Sequence, residues 1–73
     1  MKDFVKRAQL ARREIEEGNV IVLLKDIEDP FSPIPKGSVM TVSFVDDIGQ
    51  IHGEWDNGSR LALVYGEDEF RVI

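Results

Sequence analysis

The chain has 73 residues, with nine Lys and Arg against 14 Asp and Glu, one His and no Cys. That length holds one domain with a marginal core, and the lack of cysteine excludes disulfides and thiolate zinc sites. No apolar run approaches the roughly 20 residues that span a bilayer, and the start, Met1-Lys2-Asp3-Phe4, is not a signal-peptide segment, so the expectation is a soluble cytoplasmic protein.

Residues 1–17 are expected to form an N-terminal amphipathic helix. Its core, residues 3–17, carries Phe4, Ala8, Ala11 and Ile15 as one apolar stripe on a 3.6-residue period. Asp3 suits the N-terminal end, and Gly18-Asn19 is a stop signal. Leu10 lies off the stripe and is expected to point sideways or outward. Two alanines and two large residues make a thin stripe, so the helix needs something to dock on.

From Val20 the pattern is that of strands. The run Val20-Ile21-Val22-Leu23-Leu24 fits a short buried strand. Residues 25–37 hold all three prolines and form a long loop, expected to be either functional or an ordered excursion packed by its own Phe31 and Ile34. Residues 38–45 alternate, with Met40, Val42 and Phe44 on one face. Asp46-Asp47-Ile48-Gly49 is turn chemistry, residues 50–55 are the next strand, and Asn57-Gly58 is a hairpin signal. Strands at residues 60–64 and 70–73 complete the chain. This order predicts a mainly β fold: a small five-stranded SH3-like barrel over residues 18–73, preceded by one N-terminal α-helix. Alternation predicts a core of Val20, Val22, Leu24, Met40, Val42, Phe44, Ile51, Leu61, Leu63 and Val72, with Trp55 at its edge.

The prolines 30, 33 and 35 with Asp29, the run Val45-Asp46-Asp47, the run Gly49-Gln50-Ile51-His52, and above all Trp55-Asp56-Asn57-Gly58-Ser59 followed by Leu61-Ala62-Leu63 carry a resemblance. Over residues 18–73 the chain resembles the small bacterial and phage family catalogued as domain of unknown function 4314. The resemblance implies an SH3-like barrel in a mobile-element setting, and brings no enzymatic activity and no catalytic residue. The helix falls outside that pattern.

The chemistry-bearing residues are sparse. His52 is the only histidine and shares a strand face with Glu54, too few ligands for a metal site. Asp46-Asp47 and Glu67-Asp68-Glu69 lie in turns, where water keeps carboxylates ionised and unfit as general acids. The six glycines are dispersed and form no phosphate-cradling loop. No enzyme, metal or cofactor is therefore expected. The single Trp is either core or, with Tyr65, one rim of an aromatic groove.

Charge is uneven. Residues 1–17 hold five bases and four acids, whereas the rest of the chain holds four bases and ten acids. The acidic part is suited to a basic partner, such as the nucleic-acid groove of another protein. The expected function is a non-catalytic protein-binding module of a phage or mobile element, in its sharpest form an inhibitor of a host defence nuclease, for example of the anti-CRISPR type. Candidate partner-binding residues are Asp29, Phe31, Asp46, Asp47, Glu54, Trp55, Tyr65, Glu67 and Asp68. One alternative is a nucleic-acid accessory domain using the basic helix face of Lys6, Arg7, Arg12 and Arg13, disfavoured by the net charge of −5. Another is a homodimer in which the helix stripe docks on a neighbouring copy. Arg13 also suits an ordinary i,i+4 pair with Glu17.

Overall fold

The structure, a computed structural model, describes residues 4–73; the role expected of Asp3 at the helix start lies outside the described residues. One helix, α1 (Phe4–Glu14), precedes five strands: β1 (Val20–Leu23), β2 (Val39–Val45), β3 (Gln50–Trp55), β4 (Leu63–Val64) and β5 (Phe70–Val72). The strands form one sheet in the order β4-β3-β2-β1-β5, and every neighbouring pair is antiparallel.

The helix ends before the predicted residue 17 for a local reason. Ile15 N–H still donates to Ala11 O at 2.8 Å, but Glu16 N–H donates to the side-chain Oδ1 of Asn19 at 2.9 Å. A side-chain acceptor thus replaces the helical carbonyl and turns the chain. Gly18 N–H then donates to Val42 O, which hands the chain to the sheet as β1 begins. Glu17 lies beyond the helix, and no ion pair joins it to Arg13 among the described residues.

The stripe of α1 is buried on the chain's own sheet. Ala8, Ala11 and Ile15 are buried, while Phe4 at the open end is 42% exposed, with the Arg7 guanidinium 5.7 Å from its ring centre. Small side chains let the helix come close. Gly49, in the turn between β2 and β3, has φ +84°, and a Cβ there would stand 2.6 Å from Cγ of Arg7 and 3.3 Å from the backbone N of Ala8. Leu10 is partly exposed, as its off-stripe position predicts.

The core is built from Ile15, Ile21, Leu23, Ile34, Met40, Val42, Ile51, Trp55 and Leu63. Met40, Val42, Ile51 and Leu63 follow the predicted alternation, with Leu61 packed against them and partly buried. The register predicted for β1 is inverted: Ile21 and Leu23 face inward, Val20 and Val22 are intermediate, and Leu24 is exposed. Five apolar residues in a row carry no alternation, so the pattern had no phase to read. Phe44 is also outside the core, 54% exposed, because the β2–β3 register shifts between Val42 and Phe44. Such a bulge turns the next side chain to the other face. Opposite that bulge Gly53 leaves no room for a side chain, since a Cβ would meet Thr41 O at 2.2 Å. Val72, on the edge strand β5, is 38% exposed. The strand predicted over residues 60–64 pairs only at Leu63–Val64.

The proline-rich loop is ordered by its own backbone pairing. Ile27 and Ile34 exchange both backbone hydrogen bonds, at 2.8 and 3.0 Å, and Ile34 is fully buried. Phe31 does not pack the loop as expected. It is 94% exposed at the tip that this bridge closes.

Candidate protein-binding site

Two groups of predicted site residues meet each other. Nη2 of Arg12 donates to Asp47 Oδ1 at 3.0 Å and to the Val45 carbonyl at 3.1 Å. Nη1 of Arg7 donates to Glu67 Oε2 at 3.1 Å. The Tyr65 hydroxyl donates to Glu14 Oε2. The basic helix face and the acidic turns, predicted as alternative partner surfaces, therefore neutralise each other across the helix–sheet joint. Lys6 and Arg13 lie on the exposed side of the helix.

Asp46 is a structural carboxylate. Its Oδ1 accepts from Ile48 N–H at 3.1 Å and Gln50 N–H at 2.8 Å, and its Oδ2 lies 2.8 Å from His52 Nε2. Burial alone would raise its pKa, but the His52 hydrogen bond, the Gln50 and Ile48 amides and the His52 charge outweigh that, so the carboxyl sits below the ordinary value. The His52 ring is stacked on Phe44, with centroids 4.5 Å apart. Sequence reading missed this trio, because it tied His52 to Glu54 instead. Glu54 is exposed and lies 3.8 Å from Arg60. Asp68 Oδ2 likewise accepts from Val64 N–H at 2.7 Å, which closes the turn after β4.

Of the two places expected for Trp55, the structure takes the core, which removes it from the candidate partner-binding residues. It is 3% exposed, its Nε1 donates to the Leu61 carbonyl at 2.8 Å, and it belongs to the core, not to a partner-binding rim. So small a domain needs the apolar area of its only indole inside.

The proline-rich loop is a further open surface. A groove of about 630 Å³ is lined by Ile27, Ile34, Pro30, Pro33 and Pro35 together with Asp26, Glu28 and Asp29. Asp29 Oδ1 accepts from the amides of Phe31 and Ser32 at 2.8 and 2.9 Å, and Asp26 Oδ1 accepts from Lys36 N–H at 2.6 Å. Ser32 Oγ meets Ser59 Oγ at 2.9 Å, which ties the loop to the segment between β3 and β4. Of the residues predicted for binding, Asp29 and Phe31 fall here; Asp26 and Glu28 were not among them. The proline count marked the loop in the sequence, but which carboxylates line it depends on the Ile27–Ile34 bridge. Among the described residues no group of three or more His, Cys, Asp or Glu stands together to hold a metal, and no helix is long and apolar enough to cross a membrane.

A family model described as Domain of unknown function (DUF4314) matches residues 5–73. The chain therefore belongs to this family, and the match extends past the resemblance read over residues 18–73 to take in the helix. Neither a curated protein nor a solved structure matches the chain.

Proposed function

We propose that this protein is a non-catalytic protein-binding module that meets its partner through residues 26–35. The observation that carries the reading is Phe31, 94% exposed on a loop pinned by a backbone bridge, two aspartate-capped turns and a serine pair. Leaving a phenylalanine in water forgoes roughly 1.5–3 kcal/mol of burial, and ordering a loop costs about 1–2 kcal/mol per residue. A partner that covers the ring recovers the first term, and a loop already ordered lowers the cost of binding.

We read the sheet as an SH3-like barrel; the order β4-β3-β2-β1-β5, with the long loop between β1 and β2, supports this. We place the module in a phage or mobile element and in the cytoplasm, and take inhibition of a host defence nuclease as the sharpest form of its action. The support is electrostatic: a chain of net charge −5 is attracted to a basic nucleic-acid groove. The alternative of direct nucleic-acid binding needs Lys6, Arg7, Arg12 and Arg13 as one patch, and Arg7 and Arg12 already meet carboxylates of the same chain.

The test is affinity capture from lysate of the encoding cells, with tagged wild type and Phe31→Ala side by side at low and high salt. A protein held by wild type and lost by Phe31→Ala supports the reading. A partner held equally by both removes residues 26–35 as the docking site.

A further inference from the structure

We infer that the groove of residues 26–35 takes a basic, apolar segment of a partner protein, in which a Lys or Arg side chain lies along the proline walls. This deepens the reading above and rests on it.

The walls and the charges of the groove call for different parts of one side chain. Ile27, Pro30, Pro33, Ile34 and Pro35 give it rigid apolar sides. Every charged residue lining it is acidic: Asp26, Glu28 and Asp29. Asp26 and Asp29 each spend Oδ1 on loop amides, and among the described residues no hydrogen bond or ion pair engages their Oδ2 atoms. Glu28 is exposed and makes no hydrogen bond or ion pair among the described residues. A purely apolar segment would cover these carboxylates without pairing them, at a desolvation cost. An acidic segment would be repelled. A Lys or Arg satisfies both demands, since its methylene stem packs on apolar surface while its charged head stays at the rim. Phe31, in the chain between Pro30 and Pro33, adds an exposed ring for apolar neighbours of that side chain or for its cation.

The predicted acidic sites Asp46, Asp47 and Glu67 do not compete equally. Asp47 and Glu67 meet Arg12 and Arg7, and Asp46 meets His52, whereas the groove carboxylates face no base of the chain within ion-pair distance among the described residues. Charge complementarity therefore favours the loop over the turns.

The experiment is an NMR titration of the isotope-labelled full chain with two synthetic peptides of equal length, one alternating Arg and Leu and the other Glu and Leu. The Arg–Leu peptide should shift the amides of residues 26–35 saturably. Glu28→Lys, at an exposed position, should weaken that binding about tenfold while leaving the rest of the spectrum in place. Equal shifts with both peptides, shifts centred on α1 or on Glu54, or an affinity unchanged by Glu28→Lys would each overturn the inference. Equal saturation of residues 26–35 by both peptides would still leave the loop as a docking site. Failure of the basic chemistry is thus distinguishable from failure of the docking reading, which shows as partner capture indifferent to Phe31→Ala.

Discussion

Gly49 and Arg7 touch across the joint between helix and sheet: a Cβ on the glycine would stand 2.6 Å from Cγ and 2.9 Å from Cδ of the arginine. The contact makes α1 part of the folded body and explains why its bases serve as struts. Gly58 provides the control, since its φ of +85° matches the +84° of Gly49 but nothing lies within 4 Å of the added carbon. Gly58→Ala should cost about 1 kcal/mol from backbone strain alone. Gly49→Ala should cost about 1–3 kcal/mol more, because the side chain of Arg7 and the helix behind it must move. Urea melts of both variants check the difference.

The register of β1 predicts opposite outcomes for adjacent residues. Ile21 is fully buried, so Ile21→Ala should cost about 2–5 kcal/mol, as should Leu63→Ala. Val22, only half-buried, should cost less than half as much when cut to Ala. Thermal denaturation of the three variants orders them; a Val22→Ala loss equal to that of Ile21→Ala would invert the strand.

Asp46 gives acid unfolding a defined sign. Its pKa is lowered in the folded protein, so the folded state binds fewer protons than the unfolded one as pH falls past the ordinary aspartate value of about 3.9. Its contribution is complete above that value and is lost as pH falls through the lower, folded pKa. Asp46→Asn keeps the amide acceptor for the turn and removes the titration. Urea midpoints followed from about pH 6 to pH 2 should therefore fall less steeply for the variant than for wild type. Parallel curves would mean that the folded protein does not hold the Asp46 carboxyl below its ordinary value.

Phe31→Ala should leave stability within about half a kcal/mol of wild type, because the side chain is 94% exposed and packs on nothing that the fold needs. A melt that drops by several degrees would place the ring inside the loop's own packing.

The sequence made some of this legible and hid the rest for identifiable reasons. Alternation in residues 38–45 located Met40 and Val42, and Asn57-Gly58 located the hairpin turn, because period and turn chemistry are local. The phase of β1 was hidden by an unbroken apolar run, and the outward turn of Phe44 by a bulge that only pairing with β3 creates. For the site, the prolines marked the loop, but the pairing of Arg12 with Asp47 and of Arg7 with Glu67 joins residues 35 and 60 positions apart. Two surfaces that looked separate in sequence are one joint in space.

The central claim is that the loop meets the partner and the helix does not, and affinity measured on the captured partner tests it most directly. Phe31→Ala should weaken binding by tenfold or more, about 1.4 kcal/mol, as truncating an aromatic anchor does. Leu10→Ala, on the exposed side of α1, should leave it unchanged. The reverse pattern, with Leu10→Ala weakening binding and Phe31→Ala neutral, would contradict the account and assign recognition to the helix.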